Sequence, residues 1–196
     1  LSGKKGVSQI VRDEVFRVAD ELNYVYRKSS VKPESVLMTG YDIGIMTAQR
    51  YLQIGSSFYW EMYQKLAIEL KQRGLYSIFD ILSYEDEASL TISKMIAEKR
   101  VSTLIIIGQL TPEYLAAISE TGISCIYLDF YEKKSDVDSI TTDNFFDMYL
   151  MTDYLFEKGH QRIGFVGNVR ATTSIEDRYM GYCKALLEHN IEINKD

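Results

Sequence analysis

Histidine and cysteine are scarce in this chain, with two of each among 196 residues. Neither His160 nor His189 has a second histidine or a cysteine at the spacing of zinc ligands, which argues against a zinc site, and no metal is predicted. Cys125 and Cys183 lie far apart, and Cys125 falls within an apolar strand pattern. This placement predicts a buried thiol rather than half of a disulfide, and it favours the reducing cytoplasm.

Long hydrophobic runs are also missing from the sequence. No segment approaches membrane-spanning length, and the first residues lack the charged, apolar and small-residue blocks of a signal peptide. Because the chain begins with Leu1 rather than methionine, a removed upstream segment stays an open alternative.

The sequence contains none of the common enzyme motifs. There is no Gly-x-Ser-x-Gly and no phosphate loop ending in Gly-Lys-Ser/Thr, and the glycine pair in residues 164–167 lacks the third glycine of a dinucleotide fingerprint. Adjacent carboxylates at Glu85 and Asp86, and at Glu176 and Asp177, fall at or near predicted helix starts, where they complement the helix dipole. With no nucleophile beside a base, the sequence predicts a protein that is not an enzyme, and no cofactor is predicted.

The net charge of -6 is unevenly distributed. Residues 1–34 carry seven basic and five acidic side chains, an excess of +2, so the rest of the chain carries -8. A mildly basic head on an acidic body suits a protein of which only the head meets phosphate. The alternative is a solvated helix face, because an excess of two charges is small for a phosphate-binding patch.

The first regular element is an amphipathic helix. Ser8 is a suitable N-cap, and Val11, Val15, Val18 and Leu22 then form one apolar stripe at helical spacing. A single striped helix cannot shield its own apolar face. We therefore expect partner helices upstream of this sequence, with the chain truncated at its N-terminus.

After an irregular basic and Ser/Pro/Gly-containing linker over residues 25–41, strands and helices alternate regularly. Strands such as residues 103–108 are apolar on both faces, as are parallel strands covered by helices. The alternation predicts an α/β fold with an open, doubly wound parallel sheet, whose ligand site lies beyond the carboxyl ends of the strands. The predicted strands are 42–47, 76–82, 103–108, 124–129, 139–143 and 162–167. The predicted helices are 58–73, 85–99, one from Thr111 and Pro112 to Gly122, 144–158 and 176–189.

Several segments resemble the LacI/GalR (lactose-repressor/galactose-repressor) family of transcription regulators. The opening "LSGKKGVSQIVRDEVFRVADELNY" resembles the end of that family's DNA-binding headpiece. "ITTDNFFDMYLMTDYLFEKGHQRIGFVGN" resembles its Thr/Asp-Asp-Asn start and Gly-His-x-x-Ile motif, and "EDRYMGYCKAL" resembles its Arg-x-x-Gly-Phe/Tyr helix. The resemblance extends over nearly the whole chain.

The resemblance implies a remnant of an all-α helix-turn-helix headpiece in front of a two-lobed periplasmic-binding-protein-like fold. The implied domains are the headpiece end at 1–24, a linker at 25–41, an N-terminal lobe at 42–143 and an incomplete C-terminal lobe at 144–196. The helix over 8–22 would be the third headpiece helix, with Lys4, Lys5 and Arg12 as phosphate contacts or, alternatively, as solvated charges. The linker lacks the family's Ala-Arg-x-Leu, so a leucine wedge in the minor groove is not expected.

The resemblance also implies a small-molecule effector between the lobes, here a sugar or sugar phosphate, and a homodimer on operator DNA. An aromatic face is expected from Phe58 or Tyr59, although either side chain can instead belong to the core stripe of its helix. At the end of the fourth strand, Asp129 would accept hydrogen bonds from ligand hydroxyls and Phe130 would stack on the ligand. The Arg-x-x-Gly motif places Arg178 in the cleft as a rigid fork of donors. Weaker candidates are Ser83, Asp143 and Thr173.

Two other functions stay open at the level of sequence. The solute-binding protein of a sugar transporter shares this fold, and it predicts a signal peptide or a lipidated cysteine upstream. The second is an α/β enzyme with an unrecognised site.

Overall fold

The computed structural model describes residues 8–21, 42–52 and 58–193. The chain divides into two units between Thr39 and Gly40, and each is described by itself. The linker predicted over 25–41 lies outside the described residues, as do Lys4 and Lys5. The predicted division of the second unit into two lobes stays a prediction.

The described part of the first unit is one helix, α1, over Gln9–Glu21. Ser8 caps it, since its Oγ accepts a hydrogen bond from the Val11 N–H at 3.4 Å. The predicted stripe is exposed within this unit, with Val11 50%, Val15 46% and Val18 39% accessible. This helix therefore presents an apolar face, which supports the prediction that it packs against further elements.

In the described part of the second unit, five parallel strands form one sheet in the order β2-β1-β3-β4-β5. The predicted doubly wound sheet is confirmed. The strands are β1 (Asp42–Ala48), β2 (Ser77–Leu82), β3 (Val101–Ile107), β4 (Ser124–Leu128) and β5 (Asp138–Ile140).

The helices follow the predicted alternation with one exception. They are α2 (Phe58–Gln72), α3 (Tyr84–Ser89), α4 (Lys94–Ala97), α5 (Pro112–Glu120), α6 (Asn144–Glu157) and α7 (Thr173–Glu188). The single helix predicted over 85–99 is wrong, because Leu90 takes a left-handed conformation with φ 58° that ends α3. Ser93 then caps α4, its Oγ accepting from the Met95 N–H at 3.3 Å.

The strand predicted over residues 162–167 is also wrong. Its side chains are largely exposed, with Val166 98% accessible. A strand needs a neighbour for its N–H and C=O groups, and the residues described after this segment contain only α7. The apolar pattern identified a strand-like sequence, but these residues pair with no strand in the described part of the chain.

The core lies between the sheet and its flanking helices. β1 is buried from Gly44 to Ala48, and it joins β2 and β3 with Ile45 opposite Phe79 on one side and Ile105 on the other. The buried Thr47 donates its hydroxyl to the Ile107 carbonyl at 2.8 Å, so this polar group is satisfied inside the core. Buried members of the core include Met46, Leu82, Leu104, Ile106, Tyr114, Ile118, Tyr127 and Phe130.

Candidate functional site

The candidate site lies at the carboxyl ends of the central strands. β1 stands between β2 and β3, so the connections leave the sheet in opposite directions from β1 and β3, and such a point opens a ligand crevice in parallel sheets. A short 3-10 helix, Gln49–Tyr51, follows β1, while Gly108 follows β3 and Asp129 follows β4. The strand-end cluster is our name for Tyr51, Tyr59, Gly108, Asp129 and Arg178.

Asp129 is the centre of this cluster. Only 8% of it is exposed, and its Oδ2 accepts a hydrogen bond from the Tyr59 hydroxyl at 2.9 Å. Its backbone is left-handed, with φ 69°, and is fixed from two sides. The Asp129 N–H donates to the Ile140 carbonyl at 2.8 Å, and its own carbonyl accepts from Ser174 Oγ at 3.1 Å. An uncommon conformation held in this way sets the direction of the carboxylate.

Two tyrosine rings pack beside the carboxylate. The Tyr51 and Tyr59 ring centroids are 4.7 Å apart and tilted by 52°. Gly108, with φ +77°, makes this approach possible, because a Cβ there would lie 2.9 Å from Tyr51 Cε2 and 3.2 Å from Tyr59 Cζ. The strand end therefore requires glycine both for its backbone conformation and for its space.

Arg178 acts on Tyr59 through its charge. Burial raises the pKa of the Tyr59 hydroxyl, as does the Asp129 carboxylate beside it, while the positive charge of Arg178 lowers that pKa by a smaller amount. The net shift is upward, so Tyr59 stays a neutral hydrogen-bond donor at physiological pH. The cluster thus joins a carboxylate acceptor, a phenol donor, a guanidinium fork and aromatic faces.

The N-terminus of α7 closes one side of the cluster. Thr172 caps the helix through its Oγ, which accepts from the Ile175 N–H at 3.2 Å. The Thr173 N–H donates to Gln109 Oε1 at 2.8 Å, and the Thr173 hydroxyl is buried with no hydrogen-bond partner in the structure. An unsatisfied buried hydroxyl is costly, and in a ligand site it is a group that a bound molecule can satisfy.

A buried ion pair supports the same loops. Arg50 pairs with Glu87, which is 5% exposed, and Glu87 Oε1 also accepts from the Thr111 N–H at 2.8 Å. Burial by itself would raise the pKa of Glu87, but the hydrogen bonds from Arg50 and Thr111 outweigh it and lower that pKa. Arg50 also donates to the Gln109 carbonyl at 2.6 Å, and the Tyr51 hydroxyl donates to the same oxygen at 2.8 Å.

The structure places the other predicted ligand residues as follows. Phe58 is the first residue of α2, is 61% exposed, and meets the Tyr59 ring edge-on at 5.4 Å. Phe130 is 1% exposed and stacks on Tyr127 in the core, with centroids 4.6 Å apart, so its ring does not offer a face to a ligand.

Two predicted polar residues cap helices instead of joining the cluster. Ser83 Oγ accepts from the Asp86 N–H at 3.0 Å and donates to Asp86 Oδ2 at 2.7 Å. Asp143 Oδ1 accepts from the Phe146 N–H at 3.0 Å, and Asp143 is exposed. Of the predicted DNA contacts, Arg12 belongs to α1. The structure describes its backbone and not its side chain.

Sequence reasoning missed Tyr51 and Gln109. Both follow strands next to the point where the connections diverge, so the rule that selected Asp129 after β4 would also have selected the residues after β1 and β3. Neither residue belongs to a segment that resembles the family, so no motif marks them in the sequence.

Metal-ligating and membrane-spanning features are absent from residues 8–21, 42–52 and 58–193. There, no group of three or more His, Cys, Asp and Glu side chains is placed to hold a metal ion. Cys125 and Cys183 are both free thiols, Cys125 half-buried and Cys183 buried. Of the helices within residues 8–21, 42–52 and 58–193, none has the length and apolar character needed to span a membrane.

Residues 43–196 match the family described as periplasmic binding proteins and sugar binding domain of LacI family. The chain is 26% identical over 193 residues to the HTH-type transcriptional repressor PurR of Aliivibrio salmonicida, covering 97% of this chain and 56% of that protein. It is 25% identical over 201 residues to the maltose regulon regulatory protein MalI of Escherichia coli, covering 100% of this chain and 56% of that protein. It therefore spans about half the length of these curated relatives.

Solved structures share the fold. A transcriptional regulator CelR–cellobiose complex superposes with a TM-score of 0.68 at 20% identity, covering 98% of this chain and 57% of that one. A lac repressor dimer bound to operator and the anti-inducer ONPF superposes with a TM-score of 0.64 at 22% identity, covering 96% of this chain and 56% of that one. The family match over residues 43–196 confirms the resemblance drawn from the sequence, and the chain belongs to the LacI family.

Proposed function

We propose that this protein is a ligand-responsive transcriptional regulator, a repressor, that binds a sugar or sugar phosphate at the strand-end cluster. The observation that carries this proposal is the Tyr59–Asp129 hydrogen bond at the carboxyl ends of a parallel sheet, where Ser174 of α7, the helix that carries Arg178, binds the Asp129 carbonyl. Switch-point crevices bind small molecules, and the relatives that match nearly the whole chain are regulators. Those relatives favour a regulator over a transporter's solute-binding protein and over an enzyme.

Each group in the proposed site has a chemical role toward a polyhydroxylated ligand. Asp129 accepts hydrogen bonds from ligand hydroxyls, in competition with the Tyr59 hydroxyl that it already binds. Arg178 donates from a planar fork to vicinal hydroxyls or to a phosphate. The exposed Phe58 ring and the Tyr59 ring offer apolar faces to the carbon side of a sugar ring. Thr173 supplies a hydroxyl that has no partner in the structure.

Isothermal titration calorimetry with a panel of mono- and disaccharides, including cellobiose, of sugar phosphates and of nucleobases tests the ligand class. We expect one sugar to bind, and Asp129→Asn and Arg178→Gln to weaken its binding about ten- to hundredfold, since each removes a charged hydrogen-bonding group. Asparagine tolerates the left-handed backbone of position 129, so the first variant keeps the fold. Asp136→Asn and Arg170→Gln, at exposed positions, are the matched controls. Binding of nucleobases alone, or of no sugar, would refute the ligand class.

We also propose that the protein is a cytoplasmic homodimer on operator DNA, with Lys4, Lys5 and Arg12 as phosphate contacts. Exposed apolar side chains on α2 and on the edge strand β2, including Ile68 at 56% and Ile81 at 47%, support a dimer surface on this lobe. A ligand shifts DNA binding only by binding one lobe arrangement more tightly than the other. Fluorescence anisotropy on a duplex from the protein's own promoter, with and without the bound sugar, measures that shift. An unchanged DNA affinity at saturating sugar would contradict regulation by this ligand.

A further inference from the structure

Two hydrogen bonds fasten the first turn of α7 to the strand ends of the cluster. Gln109 Oε1 accepts from the Thr173 N–H at 2.8 Å, and the Asp129 carbonyl accepts from Ser174 Oγ at 3.1 Å. The first N–H groups of a helix have no partner within it, so Gln109 satisfies a donor from outside the helix. Arg178 follows on the same helix, about one and a half turns later.

Gln109 is in turn held in place by hydrogen bonds to its backbone carbonyl. Its carbonyl accepts from Arg50 Nη2 at 2.6 Å and from the Tyr51 hydroxyl at 2.8 Å. Arg50 reaches Glu87 with two nitrogens, of which Nη2 lies 3.1 Å from Glu87 Oε1. Glu87 also receives the Thr111 N–H, two residues after Gln109. One connected network therefore runs from α3 through the loop after β3 to α7.

We propose that Gln109 is a positioning residue that couples the Arg50–Glu87 ion pair to the N-terminus of α7. The ion pair fixes the loop after β3, and the Gln109 side chain in that loop positions the first turn of α7, the helix that carries Arg178. Glu87 is 5% exposed, and its carboxylate accepts hydrogen bonds from Arg50 and from the Thr111 N–H. Removing the Glu87 charge therefore leaves the partly buried Arg50 guanidinium without its acidic partner. The consequence for ligand binding rests on the proposed function, whereas the coupling itself does not.

Hydrogen exchange of the Thr173 amide, measured by NMR on the whole chain, tests the coupling without any ligand. Gln109→Leu removes the acceptor at similar volume, and we expect it to speed exchange at Thr173 about three- to tenfold. Glu87→Gln, which is not bonded to Thr173, is expected to speed the same amide in the same direction. Gln161→Leu and Glu98→Gln, both at exposed positions, are matched controls that leave the rate unchanged.

A conservative variant separates positioning from a general loss of structure. Gln109→Glu keeps an oxygen acceptor at the same reach, and a carboxylate suits a helix N-terminus, so slow exchange at Thr173 is expected to return. The double variant Gln109→Leu with Glu87→Gln is expected to exchange no faster than Gln109→Leu alone, because both act through one contact. A wild-type rate at Thr173 in Glu87→Gln, or additive effects in the double variant, would overturn the coupling.

Cellobiose affinity distinguishes this proposal from the proposed function. If wild type binds cellobiose, Glu87→Gln and Gln109→Leu are expected to weaken that binding together, with Gln109→Glu restoring it. Faster exchange with unchanged cellobiose affinity would overturn the role of the network in holding Arg178. If wild type does not bind cellobiose, that sugar is removed from the proposed function, and the Thr173 rates decide the coupling by themselves.

Discussion

Gly181, in the Arg-x-x-Gly motif of α7, gives the sharpest prediction about this fold. α6 and α7 pack closely at this point. A Cβ at position 181 would lie 2.1 Å from the Phe145 carbonyl oxygen and 3.0 Å from both the Phe145 carbonyl carbon and the Tyr149 nitrogen. All three obstructing atoms belong to the backbone of α6, so no side-chain rotation relieves the clash. Gly181→Ala therefore forces the two helices apart.

The expected loss of stability follows from two opposing effects. Overpacking typically costs about 1–3 kcal/mol, and a rigid backbone neighbour places this site near the upper end, at about 3 kcal/mol. Alanine recovers about 1 kcal/mol through its higher helix propensity. The net expectation is a loss of about 2 kcal/mol, or a fall in Tm of about 4–8 °C for a chain of this size.

Thermal unfolding followed by circular dichroism measures the fall in Tm. Gly164→Ala is the matched control, because a Cβ at position 164 meets no atom within 4 Å, and its Tm is expected to stay level or rise slightly. A Tm of Gly181→Ala equal to or above that of wild type would refute the reasoning, since only helix propensity would then have acted. It would show that α6 and α7 separate at little cost.

Two further predictions concern groups whose pKa is shifted. The folded-state pKa of Glu87 lies below its ordinary 4.5, so the stability that its carboxylate contributes is complete above that value and is lost as pH falls through the folded-state pKa. As the pH falls from about 5 to about 3, we expect the Tm of wild type to fall more steeply than that of Glu87→Gln. Equal slopes of Tm against pH in the two proteins would contradict this expectation. Partial burial raises the pKa of the Cys125 thiol to about 11. In a Cys183→Ala background, we therefore expect Cys125 to react with a disulfide reagent near pH 8 about a hundredfold more slowly in folded than in denaturant-unfolded protein. Similar rates would contradict a raised thiol pKa in the folded protein.

The agreement between sequence and fold is closest where local pattern and tertiary packing act in the same direction. Pro112 at the first position of α5 and Gly122 after it mark that helix, and the structure gives Pro112–Glu120. The apolar residues of β3 predict a strand buried on both faces, and β3 lies inside the sheet. At Leu90 the two disagree, since helix propensity favours continuation while the backbone turns left-handed to begin α4.

The candidate site shows the same division. The sequence predicts Tyr59, Asp129 and Arg178 because they follow strands or match a family motif. The structure joins Tyr59 to Asp129 by a hydrogen bond and places Arg178 on the helix whose Ser174 binds the Asp129 carbonyl. Phe130 was selected by the same rule, yet its ring turns into the core against Tyr127. Adjacent residues at a strand end point to opposite sides of the chain, and only packing shows which side faces the crevice.

By itself, the sequence determined the α/β class, the order of most of the elements and the family, because periodicity, capping residues and short motifs are local properties of the chain. Only the tertiary structure decided that Gln109 meets Thr173 and that Glu87 pairs with Arg50. Those contacts join residues 64 and 37 positions apart. Their partners are chosen by strand order and register, which bring distant loops to one edge of the sheet.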